Sequence, residues 1–160
     1  MSDRRDVLEE FLEWGMFISF GSLVIIVTLS VITRFFLPFI ILSWSEEASR
    51  FFFIYTVAFG APCALKRGEF ATVDVFFNRL PVKVRRRLLL VFDVTTVIFF
   101  SIVFFYSFQF AKLGLNQYSP TMGIPMVFAY SSMILTSMFM VFYSFLRFWK
   151  AVTRGGEILE

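Results

Sequence analysis

Histidine is absent from all 160 residues, and Cys63 is the only cysteine. Without imidazole the chain offers no histidine-ligated haem, metal site or proton relay. One thiol excludes an intramolecular disulfide and a paired-cysteine redox motif, and Cys63 reads as a small apolar packing residue. Charge is scarce too: 17% of residues carry one, and residues 14–32 carry none. No internal repeat or low-complexity tract is evident. What fills the chain is apolar mass, with 58% hydrophobic residues, 25 phenylalanines and a mean hydropathy of +0.77. That usage lies well outside the globular range and places the chain among membrane proteins. The length allows a single membrane domain over residues 1–160 and no separate soluble one.

The first apolar run is expected to remain as a span. Five acids (Asp3, Asp6, Glu9, Glu10 and Glu13) precede it, a poor basic leader, and the run is too long for a signal sequence. About 20 residues at 1.5 Å each cross the roughly 30 Å hydrocarbon core. On that measure the sequence predicts transmembrane helices at about 14–37, 45–66, 85–112 and 125–150. The second apolar run, 51–65, is short, so its helix must reach back to Glu46 and put the acids at the headgroups. Between the second and third spans, Phe70, Val73, Phe76, Phe77 and Leu80 recur at helical spacing, opposite Thr72, Asn78 and Arg79. This predicts a short amphipathic interfacial helix over about 69–80, in the cytoplasmic 66–87 loop. The fold class is therefore an all-α membrane protein, four transmembrane helices plus that interfacial helix.

Four spans place the N-terminus, the 66–87 loop and the C-terminus on one side. That side holds twelve basic residues, against Arg34, Arg50 and Lys112 on the other. The asymmetry predicts cytoplasmic termini.

The charges in "SWSEEASR" (43–50) have a local explanation. Ser43 and Glu46 have capping-box spacing, and Glu46 and Glu47 sit at the positive pole of the helix. Arg50 lies within pairing reach of both. Lys66, Arg67 and Gly68 suit the opposite terminus. The alternative is a contact role, with Trp44, Glu46, Glu47 and Arg50 clustered at the outer headgroups. Farther in, Ala58, Gly60, Ala61 and Ala64 permit close approach of another helix, and Pro62 is expected to loosen or bend the last turns.

Asp93 is the one acid inside an expected span. An intramembrane acid is a functional candidate by default, but an arginine of the 85–87 cluster is expected to pair with it. Gly15, Ser19 and Ser22, and Ala129, Ser132 and Thr136, mark small faces suited to helix packing. The phenylalanines read as lipid-facing or packing residues. A conduit for charged solutes would need midplane charges or broken half-helices, and the sequence has neither. It reads as a support.

In order along the chain stand Arg34-Phe35-Phe36, Trp44-Ser45-Glu46-Glu47, Arg50, Gly60-Ala61 and Lys66-Arg67-Gly68, then Asp74 and "YSPTMGIPMVFAY" (118–130). This ordered set resembles the small membrane subunit of tripartite ATP-independent periplasmic (TRAP) transporters over about residues 33–130. Two departures stand out: Phe70 replaces a frequent histidine, and 131–133 lack a frequent proline. The resemblance implies a three-part secondary transporter in a bacterial or archaeal cytoplasmic membrane. A periplasmic binding protein captures an organic anion, such as a carboxylate or sulfonate, and a large multi-span subunit moves it with an ion gradient, typically sodium. The small subunit then widens a static scaffold beside the large one. Carried over by position, the contact residues are Arg34, Trp44, Glu46, Glu47, Arg50, Gly60, Ala61 and Asp74. No catalytic role, cofactor or nucleic-acid partner is expected in this chain, and sodium is expected in the large partner. The rivals are a self-sufficient four-helix multidrug or proton-coupled exporter, for which Asp93 is the only coupling candidate, and a membrane redox enzyme, which the residue inventory disfavours.

Overall fold

Long uncharged stretches fold as helices in an apolar solvent because each backbone N–H and C=O must find its partner within the segment. The computed structural model describes residues 7–36, 43–67 and 82–153, and nearly all of them are helical. The helices are α1 (Val7–Phe36), α2 (Ser43–Arg67), α3 (Val82–Gly114) and α4 (Val127–Thr153). Each is long and apolar enough to cross a membrane. Helix α1 starts before its uncharged stretch and carries Glu9 and Glu10 in its first turn, where the free amides and the dipole favour acids. Helix α2 continues through Pro62 to Arg67, with the proline fully enclosed. The expected interfacial helix over 69–80, and Asp74 with it, lies outside the described residues.

The helices form an open row. Extensive contacts run from α1 to α2, from α2 to α4 and from α4 to α3, so α1 and α3 are the outer members. The apolar core gathers Leu12 of α1, Cys63 and Leu65 of α2, and Phe139, Met140 and Tyr143 of α4. Phe59, Phe100 and Leu135 pack around it. Cys63 is thus a packing residue by position. Elsewhere the row presents bulky apolar side chains outward, among them Phe17, Ile25 and Phe35 on α1 and Ile98, Phe105 and Phe108 on α3. A surface of this kind requires a bilayer or a protein neighbour.

Hydroxyls within the helices are satisfied locally. Ser107 donates to the Val103 carbonyl, Thr136 to Ser132 and Ser137 to Met133, each four residues back. This geometry lets serine and threonine sit in hydrocarbon without exposing a donor. Among the described residues the Ser144 hydroxyl is buried without a hydrogen-bond partner.

Glycine sets two of the contacts. A Cβ on Gly15 would fall 2.9 Å from the Phe59 ring, and one on Gly60 would fall 3.1 Å from Met16 Sδ. The small face expected on α2 therefore receives α1 of the same chain. At the α3–α4 corner a Cβ on Gly114 would come within 2.6 Å of the Tyr130 ring and 2.7 Å of the Val127 nitrogen. Gly21 faces open space. Gly114→Ala is accordingly expected to destabilise the chain by about 2 kcal/mol through overpacking against backbone. Gly21→Ala should be neutral or slightly stabilising, through the roughly 1 kcal/mol difference in helix propensity. Thermal unfolding of the two variants in detergent checks the contrast.

Candidate functional site

The polar side chains concentrate at the two ends of the row. One end carries the start of α1, the end of α2 and the end of α4. There Lys66 Nζ lies 2.5 Å from Glu9 Oε2, and Arg67 Nε lies 3.4 Å from Glu9 Oε1. Arg67 also pairs with Glu13. Lys66 sits 5.7 Å from the centroid of the Tyr143 ring, a cation–π approach that carries the contact from α2 to α4. Asp93 of α3 completes the end by pairing with Arg147 of α4, Oδ1 to Nε at 3.1 Å. Asp93 is only 4% exposed. The side chains of the 85–87 cluster lie outside the described residues, and the described partner of this acid is Arg147. The reason is topological: α3 and α4 are antiparallel neighbours, so the last turns of α4 lie beside the early turns of α3.

The opposite end is built from the start of α2 and the loop between α3 and α4. That loop is a compact, internally bonded turn. Tyr118 and Pro125 form an isolated antiparallel bridge. The Ser119 amide donates to the Ile124 carbonyl at 2.9 Å, and the Met126 amide donates to the Gln117 carbonyl at 2.8 Å. Gly123 adopts a φ of +65°, a conformation that glycine occupies without steric cost. Ser119 Oγ accepts from the Met122 amide at 3.0 Å.

Glu47 joins the two segments. Its Oε2 accepts from the Thr121 amide at 3.2 Å and from the Thr121 hydroxyl. A carboxylate receiving two donors from one residue fixes the turn to the helix start, because charge-assisted bonds are stronger than neutral ones. Below it, the Tyr55 hydroxyl donates to the Phe128 carbonyl at 2.7 Å and lies 2.8 Å from the Ser131 hydroxyl. Ser45 donates to Ser30 Oγ at 3.0 Å and ties α2 to α1.

The other expected site residues separate into three groups. Trp44, Glu46 and Arg50 are exposed near the start of α2, and Arg34 is exposed in the last turn of α1. Among the described residues neither Glu46 nor Glu47 pairs with Arg50, so the local pairing expected from spacing is not formed. The capping box is not formed either: α2 already begins at Ser43, which leaves that serine inside the first turn. Gly60 packs against Met16 and Ala61 against the core. Sequence reasoning missed the roles of Thr121, Tyr55, Arg147 and Glu9. The pieces "SEE" and "YSPTMGIP" were visible separately, and only the fold shows that they meet. Among the described residues no group of three histidine, cysteine or acidic side chains converges to hold a metal.

If Glu47 is the fastener, Glu47→Ala should release the turn while Glu46→Ala leaves it in place. Removing the carboxylate takes away both acceptor contacts that hold Thr121. The expected result is faster amide exchange at Thr121 and Met122 in the Glu47 variant alone, measured by hydrogen–deuterium exchange with the chain in detergent.

Comparison with known proteins agrees with this architecture. The family model of the DctQ component of tripartite ATP-independent periplasmic transporters matches residues 23–154. A Haemophilus influenzae protein provisionally named as a TRAP transporter small permease is 26% identical over 146 residues, covering 89% of this chain and 88% of its own length. The sialic acid TRAP transporter small permease protein SiaQ of Vibrio cholerae is 28% identical over 99 residues, 62% of this chain and 57% of SiaQ. The isethionate TRAP transporter permease protein DctMQ of Oleidesulfovibrio alaskensis is 32% identical over 89 residues, 54% of this chain but only 14% of DctMQ. The chain belongs to the DctQ component family of TRAP transporters and is a small permease subunit of that kind.

Proposed function

We propose that this chain is the accessory scaffold of a TRAP-type importer of an organic anion, a carboxylate or a sulfonate. It packs beside a large ion-coupled membrane subunit and works with a periplasmic binding protein. Sodium, if it is the coupling ion, is bound by the large subunit. The chain crosses a bacterial or archaeal cytoplasmic membrane four times with both termini inside, as the twelve-to-three distribution of basic residues favours.

One observation carries the scaffold reading. Across residues 14–33, 51–65, 94–111 and 127–146 there is no charged residue, and these stretches form the bodies of the four helices. A membrane protein that moves an ionic solute or couples it to protons places ionisable groups or broken helices near the midplane. Here the ionised groups lie toward the helix ends. The intramembrane acid Asp93, which an exporter would need as its coupling site, is tied to Arg147. The relatives named for isethionate and sialic acid support the organic-anion class, and the much longer DctMQ supports a large membrane partner.

Two measurements test this. Affinity isolation of the tagged chain from its native membrane should yield a much larger polytopic protein in near-equal amount, whereas the purified chain alone in liposomes should move no solute. Transport by the isolated chain would overturn the reading. Asp93→Asn should lower stability by about 1–3 kcal/mol, because it weakens a buried charged contact. Uptake per assembled complex should stay within about twofold of the parent, well under the tenfold that 1.4 kcal/mol represents. Abolished uptake in an intact complex would favour the exporter instead.

A further inference from the structure

We infer that the exposed stripe Glu46, Arg50, Phe53 and Val57 on α2 is the seam on which the large membrane subunit docks. The inference rests on the scaffold reading and adds to it the helix, the face and the chemistry of the contact.

These four residues recur at intervals of four, three and four, so they form one line down the helix. All four are exposed, Phe53 at 57% and Val57 at 47%. The line is not on an outer helix. Helix α2 lies between α1 and α4, so the stripe runs down the middle of a broad face, where a second layer of helices covers the most surface.

Depth makes the charges informative. Lys66 and Arg67 end α2 at the opposite boundary, and Glu46 lies twenty residues before Lys66. At 1.5 Å per residue that separation is about 30 Å, the thickness of the hydrocarbon. Glu46 therefore sits at the outer boundary, and Arg50 sits about 6 Å inside it. Among the described residues neither has an ion-pair partner, although the spacing would let them pair with each other. An intramembrane arginine faces protein or water and pairs with a carboxylate or with backbone carbonyls. The partner should present such an acceptor opposite Arg50 and a donor opposite Glu46.

A lipid phosphate would satisfy Arg50 but repel Glu46. The inner helices α2 and α4 are less apolar than the outer two, which suits a protein neighbour better than acyl chains. In DctMQ the matched region is 14% of the whole protein, so a related segment belongs to the same polypeptide as a much larger remainder.

The test uses the chain co-produced with its large subunit in bacterial membranes. A photo-crosslinking phenylalanine analogue replaces Phe53 or Val57, and as controls Ile25 on α1 or Phe105 on α3, which are 68% and 67% exposed. The expected product is an adduct with the large subunit at Phe53 and Val57, with lipid alone at the two controls. In parallel, Arg50→Glu should reduce co-isolation of the large subunit about tenfold, and Arg50→Lys by less, as for a desolvated interfacial charge. The crosslinking arm leaves both charges in place, so it stands even if Arg50→Glu does not fold. Adducts with the large subunit at Ile25 or Phe105 but not at Phe53 and Val57 would overturn the seam and leave the scaffold reading intact. So would adducts at Phe53 and Val57 with lipid or a second copy only, or no adduct there. If the parent chain brings down no larger membrane protein, the scaffold reading fails along with the seam.

Discussion

Lipid tails are as apolar as leucine, so a helix in a bilayer gains little by exchanging tails for another apolar helix. What holds this chain in a defined arrangement is therefore a small number of polar fastenings and close glycine contacts. The fastenings lie at the ends of the helices, where headgroups and water soften the cost of carrying charge. At one end Glu9, Lys66 and Arg67 bind α1 to α2, and Asp93 and Arg147 bind α3 to α4. At the other, Glu47 holds the turn before α4 against the start of α2. Between them Gly15 and Gly60 let α1 approach α2. The bodies of the helices are left free of charge because the ends already set the register.

This division explains what could be read from the sequence. Element type followed directly from composition, since twenty uncharged residues in a bilayer have one stable local fold. Glycine and alanine on α2 signalled a close neighbour, but not which one, and the answer is Met16 of α1. Pairings across helices were harder. The sequence offered Asp93 several arginines, and the adjacent cluster at 85–87 was the natural choice on distance along the chain. Antiparallel packing brought Arg147, fifty-four positions away, to 3.1 Å, a contact that distance along the chain does not suggest. Glu47 was legible as a helix-start acid or as an outer contact residue for a partner. Its bond to Thr121 depends on a turn seventy-four positions later, whose geometry in turn rests on Gly123 and on the Ser119 amide and hydroxyl. Contacts of that sequence separation leave no periodic trace.

The pairing of Asp93 also bears on what the chain can do. A coupling acid must exchange its proton with solvent and change partners as the protein changes state. Asp93 is buried and bonded to a cation on the adjacent helix, an arrangement that favours one packing. Its side chain is almost wholly enclosed, and Arg147 reaches it from α4. These are properties of a fastening.

An open row has a consequence that a closed bundle does not. A closed bundle buries one stripe of each helix in a common core and shows lipid the remainder. In a row, the outer helices meet the row along one side only, and even the inner helices keep a face uncovered. Such a row has little to resist bending except its polar ends, unless something lies against it. The proposed scaffold role supplies that backing, and the location of the ends follows from it. A wall meant to stay still while a neighbour moves needs its helices fixed to one another at both membrane boundaries, where fastenings can be ionic. Its middle needs only to be smooth and apolar. Among the described residues the stripe of Glu46 and Arg50 on an inner helix departs from this pattern, with an acid and a base left unpaired, and there the wall has chemistry left over for a neighbour to use.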